Sequence, residues 1–258
     1  MNISGNSLLD HPELFFVGLL LLTLAVLESG YRAAARTGVN LDDARHAQIV
    51  SLRDALGILL SLLLGFTFAM AVSRFDKRQE LVIQEANAIG TAHLRASFAG
   101  EPRTSLIRTL LQTYVKTRLE FFDAGLDQRR LRANASGAKD LQNRLWEQVL
   151  AVPAQEHTAA YALLAQSINE VIDLDAERLG ALENRIPSII WILITFMAVL
   201  TCVATGYSMK ARVWFPILVL PLMISAVAAL LADLDTPRSG FIRARQHAVE
   251  RLSEDFQK

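Results

Sequence analysis

Histidine would be the first residue to reveal metal or acid–base chemistry, and this chain has five: His11, His46, His93, His157 and His247. No two lie three or four positions apart, so no helix face offers a paired metal site. The glycine pattern that cradles phosphate is absent, as is the Gly-x-Ser-x-Gly turn of a nucleophilic serine. Cys202 is the single cysteine, with no partner for a disulfide or a metal pair, and reads as a small apolar packing residue. These residues predict no enzyme, no metal and no cofactor. Lys+Arg and Asp+Glu balance at 26 each, and no nucleic-acid partner is expected.

Chemistry is also missing where a transporter would need it. Ala55–Ser73, Ile186–Met209 and Val213–Ala232 hold no Asp, Glu, Lys, Arg or His. Each block is long enough to cross a hydrocarbon core of about 30 Å at about 1.5 Å per residue. A pump or ion-coupled carrier usually keeps a titratable group at mid-depth. An apolar interior suits a passive pore that selects by size and gates by dewetting, or a structural or sensory membrane protein.

The elements follow from the placement of these blocks. Leu14–Leu27 makes a shorter apolar run, which we extend through Ala33–Ala35 as a first span. Residues 1–13 hold no Lys or Arg, so the basic start of a signal peptide is missing. The sequence therefore predicts an all-α membrane protein with four transmembrane helices and a helical domain between helices 2 and 3. The expected division is 1–74 for helices 1 and 2, 75–184 for the domain, 185–235 for helices 3 and 4, and 236–258 for a C-terminal tail. More basic residues flank the domain side, including Arg74, Lys77, Arg78, Arg178 and Arg185. The positive-inside rule then puts the domain and both termini in the cytoplasm.

Helix 2 has no breaker at its membrane exit and should run on to about Ala96, where Gly100 and Pro102 stop it, with Pro102 opening the next helix. That helix carries Leu106, Ile107, Leu110, Leu111, Tyr114, Val115, Leu119 and Phe122 on one face. Asn134–Gly137 reads as a polar break. A third helix through Leu141, Leu145, Trp146 and Val149 closes at Pro153. A last one, from about Glu156 to Asn184, feeds the third span, with Pro187 near its entry.

Within helix 2, Gly57, Ser61, Gly65, Ala69 and Ser73 recur every fourth residue, a spacing of small side chains that lets helix backbones approach. Beside them stand Ile58, Leu62 and Phe66, also four apart. Such a stripe can line a pore or face lipid.

Here a resemblance enters. Leu64-Gly65-Phe66 followed by Val72-Ser73-Arg74-Phe75 resembles the second-helix signature of the bestrophin channels. Asp233-Leu234-Asp235-Thr236-Pro237, with Gly240 beyond, resembles that family's acidic turn after the fourth span. The whole chain looks closer to a bacterial family described as bestrophin-like. The resemblance implies a homopentameric ion channel of the bacterial inner membrane. Its partners would be its own copies, the lipid bilayer and permeating small ions. Ile58, Leu62 and Phe66 would form a hydrophobic neck, although Leu62 replaces the aromatic of animal members. Arg238, Arg243 and Arg245 stand where animal members carry a calcium clasp, so calcium gating is not implied. The alternative is a membrane scaffold or sensor whose helical domain docks a partner. At the acidic turn, Asp233 and Asp235 are expected to accept backbone or arginine hydrogen bonds, and Pro237 to stop the helix.

Overall fold

The computed structural model describes residues 10–37, 43–152, 158–238 and 240–257. Among them the elements are helices: α1 (Pro12–Thr37), α2 (Asp43–Arg95), α3 (Arg103–Asp123), α4 (Gln128–Leu150), α5 (Ala159–Glu183), α6 (Ser188–Ser208), α7 (Trp214–Asp235) and α8 (His247–Asp255). A short 3-10 turn, Ala96–Ala99, follows α2. Four helical segments are long and apolar enough to cross a membrane, and they contain α1, α2, α6 and α7. The protein is thus an all-α membrane protein with its helical extramembrane domain between the second and third spans.

The 53 residues of α2 reach about 80 Å at about 1.5 Å per residue, far beyond one bilayer crossing. Its first half packs on α6 and α7, and its second half on α5 and α8. One apolar core, including Leu27, Leu60, Ile194, Ala198 and Leu231, joins the membrane helices. Another, including Ile89, Leu111, Tyr114, Leu145 and Ile168, joins α2–α5 and α8. α2 belongs to both and runs unbroken between the two parts.

A tight backbone approach in the membrane bundle lies between α1 and α6. A Cβ on Gly206 would collide with the backbone of Leu27, and one on Gly30 with the backbone of Val203. Two glycines on facing helices thus let α1 and α6 touch backbone to backbone. At this end of α1, Glu28 accepts from Arg32 and Arg212, each at 2.7 Å. Arg212 also stacks on Tyr31 and Trp214, an interfacial belt that ties α1 to the α6–α7 connection.

Two expectations need correction. Asn134–Gly137 is not a break, because α4 runs through it unbroken. The buried face Leu131, Ala138, Leu141, Leu145 and Val149 holds that segment helical, and packing overrides its weak local propensity. The break falls earlier, at Gly125 with φ 54°, after which the Asp127 carboxylate caps Arg129 and Arg130 N–H at 2.9 and 3.2 Å. α5 ends at Glu183, one residue before the expected Asn184, and Pro187 stands at the entry to α6 as expected. The backbone leaves the helix at Asn184–Pro187 because proline disfavours helix in the residue before it. Pro102 caps α3 rather than opening it. The expected closure at Pro153 and start at Glu156 lie outside the described residues. The C-terminal segment read as a tail carries α8, which buries Val249 against the domain core and stacks Phe256 on His93.

Candidate functional site

The membrane half of α2 has two unlike faces. Leu60, Leu64, Thr67 and Ala71 are buried against the bundle. Opposite them, Ile58, Leu62 and Phe66 are 68%, 52% and 69% exposed. A Cβ added at Gly57 or Gly65 meets nothing within 4 Å, so these small residues do not pack against another helix of the same chain. Ser61 turns its hydroxyl back to the Gly57 carbonyl at 2.8 Å and Ala69 is exposed, while Gly57 and Ser61 border an open groove whose other side includes Thr201 and Thr205 of α6 and Ile224 of α7.

The open face continues beyond the neck candidates. Ala69, Ser73, Asp76 and Glu80 follow Phe66 at three- and four-residue steps, and all are exposed. Phe68, Ala69, Val72, Ser73, Asp76, Lys77 and Glu80 line a shallow trough there. Asp76 and Glu80 were not singled out from the sequence, where they look like ordinary solvated charges. Their register with Ile58, Leu62 and Phe66 along one uninterrupted helix was the available signal.

The turn after α7 is tightly organised. Asp233 accepts Phe241 N–H at 2.7 Å and Ile242 N–H at 2.9 Å. Gly240 is forced there, with φ 93° and no space for a Cβ beside the Asp233 carboxylate. Asp235 accepts Ile186 N–H at 2.9 Å and lies 4.0 Å from Arg74. Arg78 donates to the Leu234 carbonyl at 2.5 Å. α7 ends at Asp235, two residues before Pro237. One turn therefore touches α2, the entry to α6 and the segment leading to α8. We expect Asp233→Ala to strand two backbone donors and to cost about 2–4 kcal/mol. The check is thermal unfolding in detergent, and an unchanged midpoint would show the turn to be a bystander.

Inside the domain lies a charge network that sequence reasoning missed. Glu85, fully buried on α2, accepts from Tyr114 at 3.1 Å and pairs with Arg118 at 2.9 Å and with Arg178. Arg118 also reaches Asp175 at 2.6 Å. Gln142 donates to Asp175 at 2.8 Å, and Arg178 donates to Gln246 at 3.0 Å. The network thus draws on α2, α3, α4, α5 and the segment before α8. Burial pushes the Tyr114 hydroxyl up to about 12, so it stays a donor at neutral pH. Burial, then the nearby charge of Arg238, lowers Arg178 to about 10, which still leaves it charged. Arg238 itself sits over the Phe121 ring at 4.2 Å and donates to the Phe121 carbonyl at 3.2 Å. No group of three or more His, Cys, Asp or Glu suited to a metal occurs among the described residues.

Comparison with known proteins agrees with this architecture. Residues 14–249 match the bestrophin-like domain family. Two crystal structures of mutant forms of a bacterial bestrophin homolog from Klebsiella pneumoniae share the fold. One is 17% identical with a TM-score of 0.66, covering 94% of this chain and 98% of that one. The other is 13% identical with a TM-score of 0.66, covering 98% of this chain and 100% of that one. No curated protein matches. The chain belongs to the bestrophin-like family.

Proposed function

We propose that this member of the bestrophin-like family is one subunit of an oligomeric ion channel, five-fold and set in the bacterial inner membrane with its helical domain in the cytoplasm. The observation that carries the reading is the bare face of α2. Ile58, Leu62 and Phe66 project outward from a helix whose other side is buried, and they share a helical register with the exposed Asp76 and Glu80. Five copies around an axis turn these residues into three stacked apolar rings, the constriction of a passive pore. Gly57, Ser61, Gly65 and Ala69 then let neighbouring α2 helices close around it.

Below the rings, the same face presents Asp76 and Glu80, with Lys77 at 3.4 Å from Glu80. Rings of carboxylates concentrate cations at a pore mouth, so the vestibule favours cations over anions.

Two measurements test the reading together. Native mass spectrometry from mild detergent is expected to give a pentamer, and a monomer or dimer defeats the five-fold ring. Planar-bilayer recording of the same preparation is expected to show unitary currents with a cation-shifted reversal potential. An intact pentamer that never conducts defeats the channel reading.

A further inference from the structure

The segment between α7 and α8 presents one uncovered face. From Phe241 to Gln246 the side chains alternate. Phe241, Arg243 and Arg245 are exposed, Ala244 and Gln246 are buried, and Ile242 packs on the membrane core. Phe241 is 87% exposed. The segment is pinned at both ends. Asp233 accepts Phe241 and Ile242 N–H, and the Gln79 side chain on α2 accepts Arg245 N–H at 3.0 Å and donates to the Arg245 carbonyl at 3.3 Å. Arg243 Nε donates to the nearby Gly240 carbonyl at 3.2 Å. Among the described residues neither the Arg243 nor the Arg245 guanidinium pairs with a carboxylate.

The two pins fix the depth of this face in the bilayer. Asp233 directly follows the charge-free block Val213–Ala232, so Phe241 lies at the edge of the hydrocarbon. Gln79 stands six residues beyond Ser73, the end of the charge-free block in α2, or about 9 Å further out. A headgroup layer is about 5–8 Å deep on each side. Phe241 therefore meets the acyl boundary, Arg243 the headgroups and Arg245 their outer rim. An exposed aromatic ring at the boundary with basic side chains above it is the pattern of an interfacial anchor. A soluble partner would have to enter the headgroup layer to reach Phe241.

We infer that Phe241, Arg243 and Arg245 seat an anionic phospholipid, with the two guanidiniums on its phosphodiester and the ring against its acyl chains. Guanidinium forks match phosphate oxygens, and the attraction is strongest where no choline or ethanolamine cancels the charge. A bound lipid would tie the exit of α7 to α2 at Gln79. The seat belongs to one subunit and does not depend on conduction.

The experiment uses the full-length protein in mild detergent, titrated with phosphatidylglycerol or phosphatidylcholine, with bound lipids counted by native mass spectrometry. The wild type is expected to hold phosphatidylglycerol about thirty-fold more tightly than the Arg243→Ala, Arg245→Ala double variant, about five-fold for each guanidinium. Phosphatidylcholine should bind both proteins alike. Both side chains are exposed and Arg245 grips Gln79 through its backbone, so the variant keeps these bonds. Arg243→Lys, Arg245→Lys keeps the charge and should keep most of the preference. Equal phosphatidylglycerol affinity in the wild type and the alanine variant overturns the seat, as does equal affinity of the wild type for the two lipids. Displacement of phosphatidylglycerol by inorganic phosphate at the same concentration overturns it in favour of a free anion. A changed subunit count in the alanine variant overturns it in favour of a contact between copies of this chain.

Discussion

Glu85→Ala lowers the unfolding midpoint of the purified protein by about 10 °C or more. The carboxylate is wholly buried and is the common acceptor for Arg118, Arg178 and Tyr114. Removing it leaves two guanidiniums in a low-dielectric interior. Arg118 retains Asp175, but Arg178 keeps only the neutral Gln246 and faces the charge of Arg238. Breaking a buried pair from one side costs about 3–5 kcal/mol, and each kcal/mol moves the midpoint of a chain this long by about 2–4 °C. Asp175→Ala should cost less, since Arg118 then still holds Glu85. Glu85→Gln should fall between, because the amide can accept one hydrogen bond without neutralising either cation. The measurement is thermal unfolding of the three variants side by side. Equal losses for Glu85→Ala and Asp175→Ala would show that Glu85 is not the centre of the network. No loss for Glu85→Ala would mean that the arginines find other partners at no cost.

This network shows why part of the molecule was legible from the sequence and part was not. Long charge-free blocks can only be membrane helices, so α2, α6 and α7 were visible at once, and α2 had no residue to stop it before Gly100. The register of Ile58, Leu62 and Phe66 is a helical repeat, which needs no tertiary knowledge to see. Glu85, Arg118, Asp175 and Arg178 carry no such mark. They come from three helices far apart in the chain, and each taken alone resembles the solvated charges around it. The Gly30–Gly206 contact was hidden for the same reason, since neither glycine belongs to a local pattern and only the crossing of α1 and α6 pairs them. Asn134–Gly137 misled because local propensity is weak there while the buried face of α4 is strong. The turn at Asp233 was recognisable only through its resemblance to a family motif. Its internal logic, a carboxylate receiving two backbone donors beside an obligatory glycine, appears only in three dimensions.

The second large effect concerns conduction. Within one subunit Ile58, Leu62 and Phe66 bury little, so shortening them removes few contacts and should leave the fold intact. In the pore we propose, the same side chains are the rings that an ion must pass. An ion in a narrow apolar ring loses hydration and gains nothing in return, so the rings set the barrier. The triple change Ile58→Ala, Leu62→Ala, Phe66→Ala widens and wets all three. Lowering the barrier by about 1.4 kcal/mol raises the current about tenfold, and we expect at least that gain in unitary conductance or open probability. Leu60→Ala and Leu64→Ala are the matched control on the buried face, at 3% and 9% exposure. Those should cost about 2–5 kcal/mol each in packing and leave the unitary current of surviving channels near that of the wild type. Single-channel recording and thermal unfolding of both sets separate gate from scaffold. A triple variant that conducts like the wild type, or a control that gains current to the same degree, would remove the case for this face of α2 as the pore wall.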